Sequence, residues 1–113
     1  MEFEAKEFKG EGVIEGKSWG KATSKEINEV KDLNSLVSGE ILFTNNLSRL
    51  FLLKAEVVGV SAVVTKLTDV GEVGIDLPVL RMEPSDWDEL LGLGEGKDIL
   101  VNSRLGRLLV VIE

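Results

Sequence analysis

The chain contains no cysteine, histidine, tyrosine or glutamine. Without cysteine there is no disulfide, no thiolate nucleophile, no zinc knuckle and no iron–sulfur ligation. Without histidine there is no imidazole base, no phosphohistidine and no imidazole metal ligand. Proline occurs twice and aromatic residues make up 5% of the chain. No apolar run approaches the roughly 20 residues that a membrane-spanning helix requires. The opening residues 1–7 are acidic and alternating, unlike a signal or transit peptide, so the expected location is the cytoplasm. The absence of glutamine, with abundant Glu and Lys, leans towards a heat-adapted source.

What is present is ordinary for a globular domain. The 113 residues are 43% hydrophobic and 29% charged, enough for one hydrophobic core, so 1–113 reads as a single domain. Thirteen basic residues stand against twenty acidic ones, a net charge of −7. The basic residues are scattered, and an acidic chain repels phosphate backbones, so no nucleic-acid partner is expected.

The hydrophobic pattern alternates between strand and helix. Residues 2–8 predict a half-exposed strand with Phe3, Ala5 and Phe8 inward. Gly10, Gly12, Gly16 and Gly20 then punctuate short strands at 13–14 and 17–23, with Trp19 read as a core or rim residue. Thr23 and Glu26 have capping-box spacing, which predicts a short helix over 24–33. Residues 40–44 and 61–65 are continuous apolar runs of buried-strand type. The helix predicted between them, 47–56, has Leu47, Leu50, Phe51 and Lys54 or Ala55 on one side, with Leu53 widening the apolar stripe. Together these form a compact βαβ unit with parallel strands. Residues 77–82 predict another strand. Pro84-Ser85-Asp86 opens a second helix, with Ser85 as N-cap and Trp87, Leu90 and Leu91 facing inward. Residues 98–102 and 108–112 form a terminal hairpin.

Read in order, Gly39 to Thr44, Ser61 to Thr65, Gly74 to Val79, and Gly96 to Val101 followed by Arg104 to Arg107 resemble the swivelling β/β/α domain. That is the mobile domain of enzymes that use phosphoenolpyruvate. The resemblance implies an α/β fold: a single-domain swivelling β/β/α sandwich with a mixed sheet and two main helices. In the catalytic members a Thr-x-x-Gly-Gly segment leads to a phosphoryl-carrying histidine. Here Thr65 is kept, but 66–73 holds neither His nor Gly-Gly, and phosphotransfer through histidine is excluded. The opening Lys9 to Gly16, with Gly20-Lys21-Ala22, is similar to the small swivelling subunit of aconitase-like dehydratases, which closes over a larger partner's active site. Their Gly- and Ser-rich phosphate loop corresponds here to Asn45-Asn46-Leu47-Ser48-Arg49, which lacks the glycines.

The candidate ligand-binding residues lie after the two buried strands. Asn45, Asn46, Ser48 and Arg49 stand at a strand end and a helix start, where open α/β sheets place ligands and helix N-termini attract anions. They serve equally as ordinary capping residues. Thr65, Lys66 and Asp69 follow the second strand and could converge on the same edge. No catalytic residue, cofactor or metal ligand is assigned. The carboxylates around Asp86 are those any helix start favours. The expected function is a non-catalytic binding or interaction module, more a partner than an enzyme on its own. The alternative is the small subunit of a two-component dehydratase that contributes substrate contacts. The expected partners are a larger subunit or a small anion.

Overall fold

A computed structural model describes residues 4–23, 26–66, 76–94 and 97–112. The glycine-rich opening is one long strand, β1 (Glu4–Ile14), rather than a strand followed by turns. Its first half pairs antiparallel with β7 (Arg107–Ile112), and its second half pairs antiparallel with β5 (Val79–Met82). The glycines permit this change of partner. A Cβ at Gly12 would lie 1.8 Å from the Ser103 carbonyl oxygen, and one at Gly10 would lie 2.4 Å from that of Arg81. Only a residue without a side chain allows such close backbone approach.

The remaining elements are β2 (Lys17–Lys21), β3 (Ile41–Phe43), α1 (Arg49–Val58), β4 (Ala62–Thr65), α2 (Pro84–Gly94) and β6 (Asp98–Asn102). The seven strands form one mixed sheet in the order β2-β6-β7-β1-β5-β4-β3. The expected βαβ unit is present: β3 and β4 are parallel, with α1 as their crossover. The hairpin of β6 and β7 is present as well. The two ends of the sheet order meet where Ala22 bridges Ile41 and the Thr23 N–H donates to the Ile41 carbonyl at 3.0 Å.

Two cores explain the two kinds of strand. One gathers Phe8, Ile99, Val101, Leu108 and Val110 from one half of the sheet. Against them lie Ile41, Phe43, Val64, Leu80 and Met82 from the other half, with Trp87 and Leu90 of α2. The second core packs Phe51, Leu52 and Ala55 of α1 on Leu42, Val63 and Val79. Strands β3 and β4 are therefore buried on both faces, which is why they read as unbroken apolar runs. Strands β2 and β6 alternate because one face is open.

Several sequence expectations need correction. Of the helix expected over 24–33, the described residues 26–33 are not α-helical: the Thr23 and Ile27 amides donate to the carbonyls of Ile41 and Phe43 in β3, and only Val30–Asp32 makes a 3₁₀ turn. Ala5 is exposed, because alternation from buried Phe8 turns it to the other face. Phe3 lies outside the described residues. Trp19 is 54% exposed on β2 rather than in the core. Leu50 is exposed and Leu52 takes its place in the buried stripe. In α2 the helix begins at Pro84, which places Ser85 inside the first turn rather than at the cap. No helix among the described residues is long and apolar enough to cross a membrane.

Candidate functional site

The parallel pair β3–β4 sends its C-terminal ends to one edge, and the chain leaves each strand through a buried threonine, Thr44 or Thr65. The Thr44 hydroxyl donates to Asn28 Oδ1 at 3.1 Å and accepts from the Asn46 amide at 3.0 Å. The same Asn28 oxygen accepts the Asn45 backbone N–H at 2.7 Å. The loop after β3 is thus held by the extended segment that precedes it by about twenty residues in sequence.

Glu26 organises the centre of this cluster. Its Oε1 accepts from the Asn45 side-chain amide at 2.8 Å and from the Trp87 indole N–H at 2.8 Å. Its Oε2 accepts from the Asn28 amide at 2.6 Å. A carboxylate that takes three donors draws together the post-β2 segment, the β3–α1 loop and α2. Lys66 places its ammonium 5.8 Å from the centre of the Trp87 ring, within cation–π range. The arrangement fixes the orientation of Asn45: its amide nitrogen faces Glu26, so its carbonyl Oδ1 faces away. That oxygen is buried and has no hydrogen-bond partner among the described residues.

The sequence-derived candidates separate into two groups. Asn46 and Ser48 build the start of α1. The Asn46 side chain accepts from the Ser48 amide at 3.0 Å and donates to the Asn28 carbonyl at 2.7 Å. Ser48 is the N-cap, its hydroxyl accepting from the Phe51 amide at 3.3 Å. Arg49 is exposed in the first turn, and no ion pair holds it among the described residues. Asn45 meets Glu26 and Lys66 meets Trp87, while Thr65 is buried at the end of β4. Asp69 falls outside the described residues. Sequence reasoning misses Glu26, Asn28 and Trp87 as site residues, because the Thr23–Glu26 spacing imitates a helix cap. The usable signal is three polar residues, Glu26, Asn28 and Glu29, flanking one buried Ile27.

Chemically, the cluster offers an unsatisfied acceptor, a cation on an indole face and a helix N-terminus. Among the described residues no three acidic side chains converge as a metal site would require.

No family model and no curated protein matches this chain. Part of a zinc aminopeptidase from Bacillus subtilis, BSAP, overlaps it with a TM-score of 0.42 and 14% identity, over 99% of this chain and 33% of that one. The chain is similar in structure to a UPF0107 protein solved in solution by NMR, with a TM-score of 0.68 and 18% identity over 91% of this chain and 97% of that one, and what the two share is the fold.

Proposed function

We propose that this chain is a swivelling-type β/β/α domain that acts as a binding module, not as an enzyme on its own, and that the edge where β3 and β4 end is its ligand-facing side. The observation that carries this reading is the buried Oδ1 of Asn45, which has no hydrogen-bond partner among the described residues. A buried carbonyl without a donor costs about 1–3 kcal/mol. Its amide end is committed to Glu26, and no described residue supplies a donor to the oxygen. A ligand or partner group with an N–H or O–H supplies it, while Lys66 and the start of α1 favour an anionic portion on the same molecule. Support for the swivelling assignment comes from the way the two cores are layered, sheet on sheet and then sheet on α1.

A second reading, the small subunit of a two-component dehydratase, is favoured by one feature. The cluster supplies hydrogen bonds and a charge but neither histidine nor cysteine, which fits a reacting centre held by a partner. Native purification from the source, with the mass of the intact assembly measured, separates the two. A one-to-one complex with a larger chain that dissociates in Asn45→Ala and Lys66→Ala supports the subunit. A monomer or homo-oligomer removes it and leaves the stand-alone module, whose ligand is then sought among small hydroxylated anions.

A further inference from the structure

We propose that the outer face of the sheet half β2-β6-β7-β1 is a docking surface for an acidic amphipathic helix of a partner protein. The other half of the sheet has its outer face covered by α1. No described helix covers this one, and its outward residues are exposed or half-exposed. Strand register arranges them in rows that cross the strands. Trp19 stands opposite Leu100, Leu100 opposite Leu109, and Leu109 opposite Glu7, which makes an apolar row with one acidic end. The neighbouring row runs Lys17, Asn102, Arg107 and Lys9, with three cations among four positions. A hollow of about 280 Å³ lies between the rows, floored by Leu100 and Leu109 and rimmed by Lys17, Arg107 and Leu105, the last 63% exposed.

The dimensions suit a helix. Four strands place the ends of a row about 14 Å apart, and the two rows lie about 7 Å apart along the strands. A helix of about ten residues covers that length. With its apolar stripe on Trp19, Leu100 and Leu109, one flank lies over the cation row. The charge specifies the sign of that flank. The chain as a whole carries −7, yet this patch holds Lys9, Lys17, Arg104 and Arg107 against Glu7 and Glu15. Glu7 and Arg107 pair with each other, Arg107 Nε to Glu7 Oε1 at 3.2 Å, which leaves Lys9, Lys17 and Arg104 against Glu15. A second copy in a two-fold arrangement would bring this cationic patch against itself, whereas an acidic flank complements it. None of these residues belongs to the edge where β3 and β4 end.

The test uses the intact chain and a short fluorescein-labelled synthetic helix with leucines at i, i+3, i+4 and i+7 and glutamates on both flanks. Its partner probe has glutamine in place of every glutamate. Fluorescence anisotropy is expected to show binding of the glutamate helix only, weakening with salt. Affinity is expected to fall about tenfold or more in Lys17→Glu/Arg107→Glu and in Trp19→Ser, while Lys54→Glu, a charge reversal on α1, leaves it unchanged. Circular dichroism confirms that each variant is folded. Equal binding of the two helices, or binding indifferent to the variants, overturns the proposal. So does binding of phosphatidylserine vesicles without binding of the helix, or a concentration-dependent homodimer that Trp19→Ser abolishes.

Discussion

The indole N–H of Trp87 donates to Glu26 Oε1 at 2.8 Å and joins two residues 61 positions apart. Trp87 is almost wholly buried and also packs against Phe43, ring centres 5.8 Å apart. Glu26→Ala strands the indole N–H and the side-chain amides of Asn45 and Asn28, and is expected to cost about 1–3 kcal/mol. Glu26→Gln keeps an acceptor and recovers part of this. A double-mutant cycle with Trp87→Phe, read by chemical denaturation, measures the coupling, and a coupling near zero refutes the strut.

Ser48 separates capping from anion binding. Ser48→Ala removes the N-cap of α1 and is expected to lower stability by about 1 kcal/mol. Ser48→Asp retains the cap and suits the helix dipole, so its melting temperature stays near that of the parent. The added charge repels an anion at the same helix start. If the Asp variant retains phosphate affinity in calorimetry, the anion contact lies elsewhere.

Two glycines predict opposite outcomes for the same substitution. Gly92 is exposed within α2, and a Cβ there meets nothing within 4 Å. Gly92→Ala is expected to stabilise by about 0.5–1 kcal/mol. Gly106 has φ +67° and lies against Gly10, whose carbonyl oxygen would be 2.5 Å from an added Cβ. Gly106→Ala is expected to destabilise by more than about 1 kcal/mol. Thermal unfolding of the pair checks both signs.

Glu40 gives a pH signature. Burial raises its carboxyl above the ordinary value, and Lys21 only partly offsets this. A raised acid binds its proton more tightly folded than unfolded. Stability from this group is therefore greatest at low pH and falls as pH rises through the folded value. Glu40→Gln is expected to raise the melting temperature at pH 7, with the difference vanishing below the carboxylate range. A gain that persists at acid pH refutes the assignment.

The parallel βαβ unit, the terminal hairpin and the inward face of α2 were legible because each is a local pattern. Ala62 is fully buried, though so small a side chain does not announce burial by itself. The unbroken apolar runs at 41–43 and 62–64 did announce strands covered on both faces.

The site was only half legible. Asn45 and Lys66 could be placed by topology, since residues that follow parallel strands share an edge. Glu26 and Trp87 could not, because their meeting depends on α2 and the extended stretch around Ile27 arriving together. A capping-box spacing was also the wrong guide where the amides of Thr23 and Ile27 are taken by β3. Trp19 was misjudged for a related reason: its burial depends on whether a layer covers β2, and strand alternation alone does not say.

The pairing of β1 sets an order in time. Its partners are β5 and β7, and β2 pairs with β6, so both strands are made well before their neighbours. Only the stretch from Ile41 to Thr65 can close on itself early, through β3, α1 and β4. A topology with so many distant pairings folds slowly for its size. During synthesis β1 stays without a partner strand until β5 has emerged, and its first half until β7 follows, and that interval exposes unpaired strand to aggregation.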